Sequence, residues 1–337
     1  MDRDEARRLK QQLVGYLQEL AQHGVVAAAA DDGTPGRPAV ALGLAPRADG
    51  SYGVAVRYRL GLPGVRSVAR RVAEQVGPAA DVRRTGRIRP LRRVPAPRPP
   101  VATPQALGET GRVRPLRPGV SIAHVDVTAG TLGAFVTVDG AVHALSNHHV
   151  LAGSPRARVG DLVLQPGPAD GGTAPADRVG TLAATVPLTP GRAATVDAAV
   201  ALLDDPAVDP TYPVGPVTTT AVAVGGEDVA KVGRTTAVTR GRVSAIELDE
   251  VVVGYGEELG ELRFDDQIEV ESTGAGPFSR GGDSGSLVYR AADGVALGLL
   301  FAGSETGGEN GTGLTYVNPI DAVLTALGAR LLGSPAA

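Results

Sequence analysis

The spacing of apolar residues changes character twice along this 337-residue chain. Near the start, Leu9, Leu13, Tyr16, Leu17 and Leu20 recur three and four residues apart among charged neighbours, the period of an amphipathic helix. Two strands follow, around 39–44 and 52–60. In the second, Tyr52, Val54, Val56, Tyr58 and Leu60 alternate onto one face. Val65, Val68, Ala69, Val72, Ala73 and Val76 then form the stripe of a second helix, with Gly77 where a C-terminal cap belongs. A short strand near 81–85 completes the group, so residues 1–90 read as a small α+β N-terminal domain.

Periodicity then stops. The run Arg-Pro-Leu-Arg-Arg-Val-Pro-Ala-Pro-Arg-Pro-Pro begins at Arg89. Repeated proline removes backbone donors and disfavours helix, so residues 91–118 are expected to form an exposed, extended Pro/Arg-rich linker. From about Val120 the chain becomes a series of short apolar or alternating runs broken by Gly, Pro and Asp, the texture of an all-β barrel or sandwich. A last helix is expected after Asn318-Pro319. Residues 119–337 thus read as one β-rich domain with a C-terminal helix.

Composition adds two constraints. There is no cysteine, so no disulfide holds the fold, which favours a reducing cytoplasmic setting. The charged N-terminus does not read as a secretory signal, and no run approaches the roughly 20 apolar residues that span a bilayer. A cytoplasmic protein without a membrane partner is the expectation.

Charge is more informative. The net charge of −3 divides unevenly, with 21 basic and 10 acidic side chains before Gly119 and 12 basic and 26 acidic from there on. The two parts carry +11 and −14, which suggests an intramolecular contact between the N-terminal region and the β-rich domain. The alternative is polyanion binding through Arg83, Arg84, Arg87, Arg89, Arg92, Arg93 and Arg98. That stretch has no aromatic residue to stack on bases, so nucleic acid is disfavoured.

Candidate chemistry lies in three places. Gly281-Gly282-Asp283-Ser284-Gly285-Ser286 precedes the apolar run Leu287-Val288-Tyr289. Glycines flanking a serine allow a tight turn that exposes its hydroxyl and converges the N–H groups of Gly282 and Ser284 on one point, as an oxyanion hole requires. A glycine-rich turn with an incidental serine is the plainer reading. Upstream, Asp139-Gly140 marks a two-residue hairpin whose second strand runs into Ser146-Asn147-His148-His149-Val150. One of these adjacent histidines is placed for general-base work. Third, Asp197 stands at the mouth of the apolar run Ala198–Leu203, where orienting an imidazole would satisfy an otherwise costly buried carboxylate. The order His, Asp, Ser excludes the α/β-hydrolase and subtilisin arrangements.

Together these stretches resemble the chymotrypsin-like (trypsin-like) serine peptidases. They are similar in particular to bacterial trypsin-like and Deg-type enzymes and to the plant NARROW LEAF-type proteins. The resemblance rests on SNHHVLA, TVDAAVALL, SRGGDSGSLV and KVGRTTAVTRGRVSAI, and covers roughly residue 121 to the C-terminus. It implies an all-β double barrel and a serine endopeptidase acting on protein or peptide substrates through His149, Asp197 and Ser284. His149 is the base because valine follows it, as in the family. It further implies that Phe301, Ala302 and Gly303 form the strand that pairs with extended substrate, and that Phe278 lies at the base of the S1 pocket. Phe278 replaces the aspartate of trypsin-type pockets, so small or apolar P1 side chains are expected.

No activation sequence of the Ile-Val-Gly-Gly type is present, so the resemblance leaves open what holds Asp283. The clusters Glu257, Glu258, Glu261 and Asp265, Asp266, Glu269 match no calcium loop and read as solvated surface. No metal or cofactor is expected. A homo-oligomer is left open, and a catalytically inactive binding module with the same fold is the main rival to an enzyme.

Overall fold

The computed structural model describes residues 1–22, 40–59, 64–90 and 106–335. Leu60 and the linker arginines Arg92, Arg93 and Arg98 lie outside the described residues.

The N-terminal unit runs α1 (Arg3–Gln22), β1 (Val40–Pro46), β2 (Tyr52–Arg59), α2 (Val65–Val76), β3 (Ala80–Thr85) and β4 (Ile88–Pro90). β1 and β2 form an antiparallel hairpin, and the crossover through α2 makes β3 parallel to β2. Leu13 and Leu17 of α1 and Val65, Val68 and Val72 of α2 bury against Val40, Leu42, Val54 and Val56, as the helical spacing predicts. Strand β2 is buried on its other face too, and there Arg57 is only 2% exposed. The clean alternation in the sequence did not reveal this second covered face.

The first barrel comprises β5 (Ser121–His124), β6 (Gly130–Thr131), β7 (Ala134–Val138), β8 (Ala141–Ser146), β9 (Leu162–Leu164), β10 (Arg178–Thr185) and β12 (Ala199–Leu203). The short helix α3 (His148–Leu151) leaves the end of β8, and β11 (Ala193–Ala194) lies between β10 and β12. The sheet order is β7-β8-β12-β10-β9-β5-β6. Only Leu132 and Gly133 separate β6 from β7, so this sheet curls back on itself. Asp139 and Gly140 adopt φ values of 48° and 81° in the expected two-residue hairpin, with Val138 opposite Ala141. The segment 106–118 runs along this barrel and buries Leu116, which bridges to Val208.

A hairpin of β13 (Thr211–Tyr212) and β14 (Gly215–Pro216) leads to the second barrel. Its strands are β15 (Asp228–Gly233), β16 (Ala237–Asp249), β19 (Gln267–Ser272), β20 (Leu287–Arg290), β21 (Ala296–Ser304) and β22 (Leu314–Pro319). The order β15-β20-β21-β22-β19-β16 closes because β16 also pairs with β15. A side hairpin, β17 (Val251–Gly254) and β18 (Glu261–Phe264), projects towards the first barrel, where β11 pairs with β18. Helix α4 (Ile320–Leu327) is shorter than expected. It stops at Gly328, in the left-handed region, and β23 (Arg330–Leu331) returns to pair with β7.

The N-terminal strands are continuous with the second barrel. β1 pairs with β16, so β1, β2 and β3 extend the barrel sheet outward. Charge reinforces the junction. Arg57 meets Glu269 at 2.8 Å with both side chains buried, Arg83 meets Glu271 at 2.6 Å, and Lys10 meets Asp249 at 2.7 Å. Glu269, read from sequence as solvated surface, is therefore a buried ion-pair partner. Among the described residues no helix is long and apolar enough to cross a membrane.

Candidate active site

Pairing of β8 with β12 sets Ser146 opposite Ala199, so the residues just beyond each strand end become neighbours. His149 and Asp197 stand there. The Nδ1–H of His149 donates to Asp197 Oδ2 at 2.5 Å, and the His149 backbone N–H reaches Oδ1 at 3.2 Å. Both side chains are buried. The carboxylate also accepts the Tyr255 hydroxyl at 2.5 Å. The Asp197 backbone is fixed from both barrels, with Asn147 Nδ2 donating to its carbonyl and its N–H donating to Asn318 Oδ1. Burial pushes the Asp197 carboxyl up, but the His149 ring, His148 and the Tyr255 hydroxyl outweigh it and hold the carboxyl below the usual carboxylate range. Asp197 is therefore anionic at neutral pH, and it fixes the His149 tautomer so that Nε2 is the open acceptor. Nε2 is buried and has no hydrogen-bond partner among the described residues.

The serine turn comes from the other barrel. Gly282 has φ 100°, and the Thr131 hydroxyl holds its carbonyl at 2.8 Å. A side chain at Gly285 would strike Ser146 Oγ and the Thr131 carbonyl, so the turn fits against the first barrel only with glycine. Thr131 N–H also donates to the Ser284 carbonyl at 2.8 Å. Among the described residues the amides of Gly282 and Ser284 donate to no acceptor. The Ser284 hydroxyl donates to the Phe301 carbonyl at 3.2 Å rather than to His149.

Asp283 is held by a dedicated cradle. Its carboxylate accepts the backbone N–H groups of Thr235, Thr236 and Arg280 and the Thr236 hydroxyl, at 2.7–3.1 Å. The fully buried Lys231 ammonium lies 3.4 Å away and also donates to the Ala237 carbonyl. Burial pulls the Lys231 ammonium down from its ordinary value, and the Asp283 carboxylate opposes that pull. A lysine from within the fold thus meets the carboxylate that the sequence left without a partner.

The remaining expected residues are spread around this centre. Phe278 is buried in the second barrel, with its ring beside Gly241 and its carbonyl accepting the Thr239 hydroxyl at 2.7 Å. Phe301 turns its ring inward, 4.7 Å from that of Phe264. Ala302 and Gly303 lie in β21, paired with β22 on one side and with β4 on the other. The strand expected to offer an open edge is therefore already paired.

Sequence reading missed Tyr255, Lys231 and Asn318. Tyr255 lies beyond β17 in a stretch without periodicity, and Asn318 passed as part of a helix start. Lys231 did leave a signal, being one of only two lysines among 33 basic residues.

His149 and Asp197 come from the first barrel, and Ser284 from the second, closed six-stranded barrel that packs against it. The fold is the chymotrypsin-like double barrel. No family model and no curated protein matches the chain. Among solved structures it is similar to protease A of Thermobifida fusca, at 22% identity and a TM-score of 0.45 over 64% of this chain and 97% of that one. A glutamic acid-specific serine protease matches at 25% identity and 0.44, over 64% of this chain and 100% of its own. The chymotrypsin of Cellulomonas bogoriensis matches at 21% and 0.43, over 65% and 99%. The fold assignment follows from the strand order rather than from these similarities.

Proposed function

We propose that this chain is a serine endopeptidase in which Ser284 is the nucleophile, His149 the general base and Asp197 the residue that orients and charges the base. The observation that carries this reading is His149 itself. Its Nδ1 side is saturated by a buried anionic carboxylate, while Nε2 is left unpartnered among the described residues. Unlike His148, whose ring nitrogens are both unpartnered there, His149 is fixed on one side and open on the other, as a general base requires.

In the reaction, Nε2 takes the Ser284 proton as Oγ attacks a peptide carbonyl, and the imidazolium is stabilised by Asp197. The free amides of Gly282 and Ser284 receive the oxyanion. His149 then protonates the leaving amine, and water hydrolyses the acyl-enzyme by the same steps in reverse order. For the attack the Ser284 hydroxyl, which donates to the Phe301 carbonyl, must turn to Nε2. Phe278 in place of an acidic residue supports apolar P1 side chains.

Digestion of a peptide library by the full chain and by Ser284→Ala tests this. Cleavage by the former alone, after apolar residues, is expected. Equal absence of cleavage in both would favour a binding module that has kept the barrel.

A further inference from the structure

The partner of β21 is the N-terminal segment itself. Ile88 lies opposite Ser304, Arg89 opposite Gly303 and Pro90 opposite Ala302, in antiparallel register. The Glu305 N–H donates to the Arg87 carbonyl at 3.2 Å. Hydrogen-bonded and non-hydrogen-bonded pairs alternate in such a ladder. With Arg87 and Glu305 as a bonded pair, Arg89 and Gly303 form the next one, and Pro90 falls at a position where its missing N–H costs nothing.

Direction matters as much as register. The segment runs from Ser304 towards Ala302, and the next carbonyl acceptor along β21 belongs to Phe301, the group that now receives the Ser284 hydroxyl. The strand is therefore aimed at the proposed nucleophile. Side chains follow the alternation: Ile88 packs on the apolar cluster containing Tyr255, Phe301 and Leu314, Pro90 is buried, and Arg89 is exposed, facing Glu305 at 3.6 Å. Ser284 is wholly shielded from solvent. The unit carrying β4 is held in place by the β1–β16 pairing and the Arg57–Glu269 and Arg83–Glu271 ion pairs.

We propose that Ile88-Arg89-Pro90 occupies the P4, P3 and P2 positions of the substrate strand, so that the chain carries its own substrate template and external peptides compete with it. This rests on the peptidase reading above. The preferred substrates are extended peptides with a branched aliphatic residue at P4 and proline at P2. The apolar preference inferred from Phe278 adds leucine at P1.

The test uses the full chain and the anilide of Ile-Arg-Pro-Leu. Arg89→Pro removes the N–H of the bonded pair with Gly303, and Ile88→Ala loosens the P4 contact more gently. Each is expected to raise turnover of the anilide at low substrate by about tenfold or more through KM, because an intramolecular strand competes at an effective concentration near millimolar. Replacing proline by alanine in the anilide is expected to lower kcat/KM. Calorimetry gives a readout free of catalysis: acetyl-Ile-Arg-Pro-Leu is expected to bind Ser284→Ala/Arg89→Pro but not Ser284→Ala alone. If the wild type cleaves the anilide and neither β4 variant changes KM or peptide binding, the template is refuted while the peptidase stands. If a fluorophosphonate labels none of the variants and no anilide is cleaved, the peptidase reading fails and the template fails with it.

Discussion

The two barrels share a fold but differ in how much of the chain each one needs. The first buries a core of its own around Ile122, Ala144 and Ala201 and holds His149 against Asp197, although Tyr255 and Asn318 of the second barrel also bind Asp197. The second carries Ser284 and the strand proposed to pair with substrate, and it borrows from outside: β1 to β3 extend its sheet and β4 fills its β21 edge. The proposed acid-base pair thus sits in the first barrel with support from the second, whereas the edge beside the proposed nucleophile is shared with the N-terminal unit. Activity and regulation are expected to respond to different mutations.

The largest effect belongs to the first barrel. Asp197→Asn keeps the packing but reverses the imidazole tautomer, and is expected to lower kcat by about 10⁴-fold with little change in KM, measured on the Ile-Arg-Pro-Leu anilide. In the second barrel, Lys231→Met strands the buried Asp283 carboxylate. A loss of about 3 kcal/mol in denaturant unfolding is expected, with a matching loss of activity as the oxyanion turn relaxes. Tyr255→Phe sharpens the comparison, because this hydroxyl reaches Asp197 from a hairpin of the second barrel. Removing it is expected to cost about 1 kcal/mol of transition-state stabilisation, several-fold in kcat, with KM unchanged.

The smallest effect concerns pH. Burial pushes the Asp81 carboxyl up, but Arg57 and Arg83 outweigh it and hold it low. The folded state therefore binds fewer protons than the unfolded state as pH falls through about 4. The stabilisation is complete above that range and is lost below it. Thermal unfolding should show the N-terminal unit loosening at pH 3 relative to pH 6, and an unchanged profile in Arg57→Met would locate the effect at this junction.

How much of this was legible in the sequence follows the same division. The turn at Ser284 and the strand ends that bring His149 to Asp197 could be read because each sits in a short stretch whose neighbours are dictated locally: glycines for the turn, a hairpin before the histidine, an apolar strand after the aspartate. The helices of the N-terminal unit were equally plain from their spacing. What could not be read depends on pairing between distant segments. Nothing in Val54, Val56 and Tyr58 announces that Arg57, on the opposite face, meets Glu269. Nothing in Ile88-Arg89-Pro90 announces a place on β21, since three residues carry no period. Lys231 was visible but mute, because its meaning comes from the carboxylate it faces.

The central claim is that His149 activates the Ser284 hydroxyl. Incubating the full chain with a fluorophosphonate and mapping the adduct by mass spectrometry tests it most directly. A single adduct on Ser284, absent in Ser284→Ala and slowed by several orders of magnitude in His149→Ala, is the predicted result; an adduct elsewhere, or labelling indifferent to His149, would contradict it.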